Sequence, residues 1–99
     1  MSHTYRVTLE RLDAPTSADV RSLSFEVGNH DEILGLIDRV AARGAVPAAE
    51  AAEFTVGLKL FSEVMLRHRQ DTLFAELLPH FGVFMKRLKS GAPDTAART

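Results

Sequence analysis

The chain contains no cysteine, no tryptophan and a single tyrosine. Without cysteine there is no disulfide framework, no thiolate metal site and no cysteine nucleophile, so the fold has to be held by a packed core. Charge of one sign is also missing. Twelve Lys and Arg stand against 13 Asp and Glu, and the formal net charge of -1 supplies no overall field for nucleic acid or anionic lipid. No uninterrupted apolar run approaches the roughly 18–20 residues needed to cross a bilayer, so no membrane span is expected. Met1 to Arg6 enter an alternating pattern directly, without the cationic and apolar segments of a secretory leader, and the expected location is cytoplasmic.

What is present is a globular composition, 45% hydrophobic and 25% charged over 99 residues. A domain of that size buries roughly 65% of the surface its unfolded chain exposes, enough for a core of its own. One α+β domain is expected over residues 1–89. The small, polar, Pro- and Gly-containing stretch 90–99 reads as a flexible tail.

Two segments alternate with period 2. Tyr5, Val7 and Leu9 fall on one side and Thr4, Arg6, Thr8 and Glu10 on the other; Leu23, Phe25 and Val27 alternate likewise with Ser22, Ser24 and Glu26. Turn chemistry from Asp13 to Asp19, with Pro15, Thr16 and Ser17, joins them into an antiparallel hairpin. The register predicted is Leu9 with Leu23, Val7 with Phe25 and Tyr5 with Val27, because apolar then faces apolar throughout and Arg6 faces Glu26 on the wet side.

Three helices follow by pattern. The first has Asn29 as N-cap with Glu32 completing a capping box, an apolar arc of Ile33, Leu34, Leu36, Ile37, Val40 and Ala41, and Gly44 as C-cap. The second starts near Pro47 and runs to about Arg69. Its expected buried arc is Phe54, Gly57, Leu58, Leu60, Phe61, Val64 and Met65, with Lys59, Ser62, Glu63 and Arg67 outside it, and Val56 and Leu66 left unplaced. Gly57 inside that arc predicts a close backbone approach by a neighbouring element. Asp71 caps the third helix, predicted to continue with a kink through Pro79 to Lys89. The expected fold is therefore ββααα, with the Tyr5–Val7–Leu9–Leu23–Phe25–Val27 face of the hairpin packed on the helices.

The stretches His3 to Glu10, Phe25 to Asp31, Gly57 to Leu66, Leu73 to Phe81 and Phe84 to Lys89 together resemble a small bacterial family, the domain of unknown function DUF3861. The resemblance covers nearly the whole chain except the tail, and the Gly57 to Leu66 block is its most specific part. It implies a single-domain bacterial protein and brings no reaction and no catalytic residues.

Chemistry-bearing residues are few. The four histidines, His3, His30, His68 and His80, stand in no metal or catalytic spacing, and no Walker loop, dinucleotide fingerprint, nucleophile elbow or zinc-protease motif occurs. Glu76 and His80 are four apart, so one helix would present both to a metal; with no third ligand, an ordinary i,i+4 pair is the better account, and no cofactor is expected. His68 falls in the expected buried arc near a helix C-terminus, where packing or capping explains it better than general-base chemistry. His30-Asp31 opens a helix already carrying negative charge, which favours capping over anion binding. The clusters Arg67-His68-Arg69 and Lys86, Arg87, Lys89 end helices, where cations complement the macrodipole. They lack interleaved aromatics, which argues against nucleic acid.

The function expected from these residues is a small non-enzymatic interaction or self-associating domain, with a homodimer as the expected partner arrangement. A small-ligand-binding protein, or an enzyme with its site near His68 or His80, is the alternative.

Overall fold

The computed structural model describes residues 2–13 and 22–90. Strands β1 (His3–Glu10) and β2 (Ser22–Asn29) are followed by α1 (Ile33–Arg43), a 3-10 turn (Ala48–Glu50), α2 (Ala51–Arg67), the four-residue α3 (Thr72–Ala75) and α4 (Leu77–Ser90). This is the predicted α+β class, a two-stranded antiparallel hairpin and then helices. The chain forms two compact units, Met1–Glu32 and Ile33–Thr99.

In the first unit the strands pair in the predicted register, with Tyr5 opposite Val27, Val7 opposite Phe25 and Leu9 opposite Leu23. A slip of one residue would turn the apolar residues to the other face, and a slip of two would leave Tyr5 or Leu9 without an apolar partner and part Arg6 from Glu26. Tyr5, Val7 and Val27 are half-buried, while Leu9, Leu23 and Phe25 toward the hairpin end are exposed. On the wet face Arg6 donates to Glu26 at 3.0 Å and the Thr8 and Ser24 hydroxyls share a 2.7 Å hydrogen bond. The ion pair is mostly solvated, so it selects register more than it stabilises. Most of the predicted Asp13 to Asp19 turn lies outside the described residues, as does the expected tail beyond Ser90.

Asn29 departs from its predicted role. The ladder runs to the end of β2, pairing Asn29 with His3, so its backbone is held extended rather than set at a helix start. Its Oδ1 instead accepts the Asp31 N–H at 3.0 Å, closing a side-chain turn after the strand, and α1 begins only at Ile33. The Tyr5 hydroxyl donates to the Asp31 carbonyl at 3.2 Å and secures the same turn.

In the second unit α1 packs along α2. Ile33 and Val40 are buried, but Leu34, expected in the apolar arc, is 65% exposed. Gly44 closes α1 as predicted: at φ 75° its N–H reaches the Val40 and Ala41 carbonyls, a left-handed conformation that a side chain would disfavour. Pro47 opens the 3-10 turn rather than the α-helix itself, and α2 starts at Ala51 and ends at Arg67, inside both predicted limits.

The buried face of α2 is not the predicted arc. Ala51, Thr55, Lys59, Ser62 and Met65 are buried, and of these only Met65 belongs to the expected set. Phe61 and Val64 are 45% and 40% exposed, whereas Lys59 and Ser62 were expected outside. The small residues Ala51, Thr55 and Ser62 let a neighbour approach closely, and a lysine can lay its aliphatic stem along apolar surface. Gly57 corrects the same expectation: it is exposed, and a Cβ built there meets nothing within 4 Å. No neighbour among the described residues uses the space that this glycine leaves, although glycine in a helix interior costs about 1 kcal/mol relative to alanine.

Thr55 is wholly buried and its hydroxyl has no hydrogen-bond partner. A buried hydroxyl without a partner carries its desolvation cost uncompensated, and valine has nearly the same shape. Thr55→Val is therefore expected to stabilise the protein by about 1 kcal/mol. A urea midpoint that falls on this substitution would show that the hydroxyl is satisfied in solution.

The predicted third helix runs through Pro79 as expected, but it is interrupted upstream at Glu76, which the pattern did not indicate. Asp71 caps it as expected, its Oδ1 accepting the Leu73 N–H at 3.1 Å, yet α3 stops at Ala75, Glu76 forms a turn, and α4 begins at Leu77. Pro79 is thus the third residue of α4, within the first turn, where its missing N–H is no loss. A proline ring clashes with the carbonyl four residues before it. Here that carbonyl belongs to Ala75, the last residue of α3, so the interruption precedes the proline by one turn. At the far end of α4 the Arg43 guanidinium donates to the Leu88 and Lys89 carbonyls at 3.1 and 2.9 Å, closing the helix C-terminus from α1.

Candidate functional site

The second unit leaves much of its apolar surface uncovered. α4 has 14 residues and none of them is buried. Leu78, Phe81, Met85 and Leu88 form its half-buried side; beside them Leu77 and Phe84 are 39% and 43% exposed. On α2 the exposed large apolar residues are Phe61 and Val64, with the exposed Gly57 one turn before Phe61, and Leu66 on another side of the helix.

Phe61 links these helices. Its ring meets Phe74 and Phe81 edge-on, each at 6.3 Å, and Phe81 lies 6.0 Å from Phe84 at a tilt of 35°. Edge-on contacts of this kind hold rings in place beyond their buried area. The cluster therefore presents a fixed apolar surface rather than loose side chains. Sequence reasoning placed these aromatics in the core. The one signal pointing elsewhere was the breadth of the apolar arc on α2, too wide for a single covered face, with Val56 and Leu66 already outside it.

The histidine candidates are not brought together. His68 is exposed, not in the buried arc: it ends α2, its N–H donating to the Met65 carbonyl at 3.1 Å, and its ring stacks at 6.5 Å on Phe74. It is exposed because α2 stops one residue before it and buries a different face. Glu76 stands between α3 and α4 with helical dihedrals, φ -72° and ψ -30°, and His80 lies within the first turn of α4; both are exposed. No ion pair joins them, and no group of three or more His, Asp or Glu able to hold a metal occurs among the described residues. His30 is exposed in the turn after β2, and His3 is exposed at the start of β1.

One open depression of about 690 Å³ is lined by Leu66 to Asp71, the connection between α2 and α3. It contains His68 with Arg67 and Arg69, so the basic cluster predicted at the end of α2 lines a concave surface. The second cluster, Lys86, Arg87 and Lys89, ends α4. No helix among the described residues is long and apolar enough to cross a membrane.

A small hairpin unit followed by a helical unit with an uncovered aromatic face defines the class of protein. The chain belongs to the family described as a domain of unknown function with a solved structure, DUF3861, whose model matches residues 3–90. It is similar to a protein of unknown function from the bacterium Pectobacterium atrosepticum whose crystal structure is known. The two are 37% identical with a TM-score of 0.79, over 91% of this chain and 99% of that one. No curated protein matches the chain.

Proposed function

We propose that the chain works as a non-enzymatic, self-associating interaction domain. The observation that carries this reading is the state of α4 and of the aromatic cluster against it: 14 helical residues of which none is buried, beside Phe61, Leu77 and Phe84, each about two-fifths exposed. Exposed apolar residues scattered singly are ordinary, but a contiguous patch on rigid helices is what contact surfaces are made of. The nearly neutral charge favours association of like copies, since little net repulsion opposes it. Light scattering after size exclusion at micromolar concentration tests it. A mass near twice 10.9 kDa is expected, and 10.9 kDa across the whole dilution range would reject self-association.

A second reading has its own observation, the depression around His68. Its Arg67 and Arg69 suit an anionic small ligand, with the exposed imidazole as an additional donor. Chemical-shift changes confined to Leu66 to Asp71 on titration with inorganic phosphate would favour it over the interaction domain.

A further inference from the structure

The more exposed side of α2, where Phe61 meets Phe74 and Phe81 on one edge, has an order of its own. Phe54, Gly57, Phe61 and Val64 follow one another at spacings of three, four and three, the first and fourth positions of a heptad. Gly57, Phe61 and Val64 are exposed and Phe54 is half-buried. The flank of this stripe that carries Ala51 and Met65 is buried in the chain itself; the opposite flank carries Glu53, Leu60 and Arg67, of which Glu53 and Arg67 are exposed. In the middle sits the open notch at Gly57, one turn from a phenylalanine that its own chain leaves 45% exposed.

We infer that α2 packs antiparallel on α2 of a second copy, with Phe61 of each copy seated over Gly57 of the other. This rests on the self-association reading and names its surface. Placing Phe61 opposite Gly57 also places Phe54 opposite Val64, so apolar meets apolar along the whole stripe, with no second adjustment of register. The flanking charges, which played no part in choosing that register, agree with it. In an antiparallel pair the two outer flanks face each other, and Glu53 of one copy then comes within two positions of Arg67 of the other, twice by symmetry, with Leu60 against its own counterpart at the centre. A parallel pair would instead set the Glu53–Leu60–Arg67 flank of each copy against the Ala51–Met65 flank of the other, which is buried in its own chain, so the free flank selects the antiparallel orientation. A single helix pair is smaller than the roughly 800 Å² per partner of a stable interface. The exposed Leu77 and Phe84 of α4, joined to the stripe through the Phe61–Phe81 contact, extend it.

The test compares dissociation constants of the full chain and four variants by light scattering and sedimentation. Gly57→Leu fills the notch and is expected to leave a monomer of 10.9 kDa with unchanged far-UV circular dichroism, since no atom of the described residues comes within 4 Å of a Cβ there. Glu53→Arg and Arg67→Glu are each expected to weaken the dimer about tenfold, and the double variant to recover most of that loss, because only the facing pair is restored. A wild-type chain that stays monomeric rejects self-association itself. A wild-type dimer with the single variants equally tight, or with no recovery in the double variant, rejects the α2 register and leaves self-association standing.

Discussion

Met65→Ala is expected to lower stability by about 2–5 kcal/mol, the largest single effect in the chain. Met65 has no exposed surface and is the largest of the fully buried side chains. Truncation removes its transfer free energy and leaves a cavity that Ser62, one turn away on the same buried face, is too small to fill. The adjacent Leu66 provides the control. It is 49% exposed, and Leu66→Ala should cost under about 1 kcal/mol. In a domain of this size the first loss corresponds to a fall in melting temperature of roughly 10 °C or more. Both variants belong at one protein concentration, because association adds a mass-action term to apparent stability. Equal costs at the two positions would show that α2 buries a face other than Ala51–Thr55–Lys59–Ser62–Met65.

Asn29→Ala is the second large loss, expected at about 1–3 kcal/mol. The residue is 1% exposed, and its Oδ1 accepts the Asp31 N–H that no helix hydrogen bond would satisfy at this point in the chain. Alanine removes the acceptor that closes this turn, and it vacates the space of the buried carboxamide. Chain geometry raises the cost further. Asn29 is the final rung of the β1–β2 ladder, opposite His3, so losing the turn frees the strand end as well. Urea midpoints measure the loss, and amide hydrogen exchange locates it, with faster exchange expected at Asp31. A change of less than about 0.5 kcal/mol would mean that the side chain fills space without capping anything.

How legible each feature was in the sequence depended on how many alternatives its physics allowed. The hairpin had one answer. Side chains alternate with period 2, so a slip of one residue would have turned Tyr5, Val7 and Val27 outward and parted Arg6 from Glu26. Gly44 and Asp71 were equally legible, because a left-handed helix end and an N-cap are local matters, settled within a few residues. The start of α1 was not. Asn29 has the right chemistry both for capping a helix and for closing a turn, and the extent of the β2 ladder decided between them. Nor was the interruption at Glu76 foreseen where a kink at Pro79 was expected, although its cause was in view: the clash of Pro79 lies at Ala75, one turn upstream of the ring.

The sequence by itself determined the α+β class, the strand register, the caps at Gly44 and Asp71 and the absence of cysteine chemistry, because each follows from periodicity or from the chemistry of a few adjacent residues. Which side of α2 is buried was decided only by tertiary structure. Apolar residues occupy most of the circumference of that helix, so its pattern admits several sectors, and packing of α1 along it went with the sector lined by the small side chains Ala51, Thr55 and Ser62. The same choice left Gly57, Phe61 and Val64 facing outward and His68 away from the core. A helix records in its sequence how much apolar surface it has, but the neighbours that fit closest against it determine which part is covered.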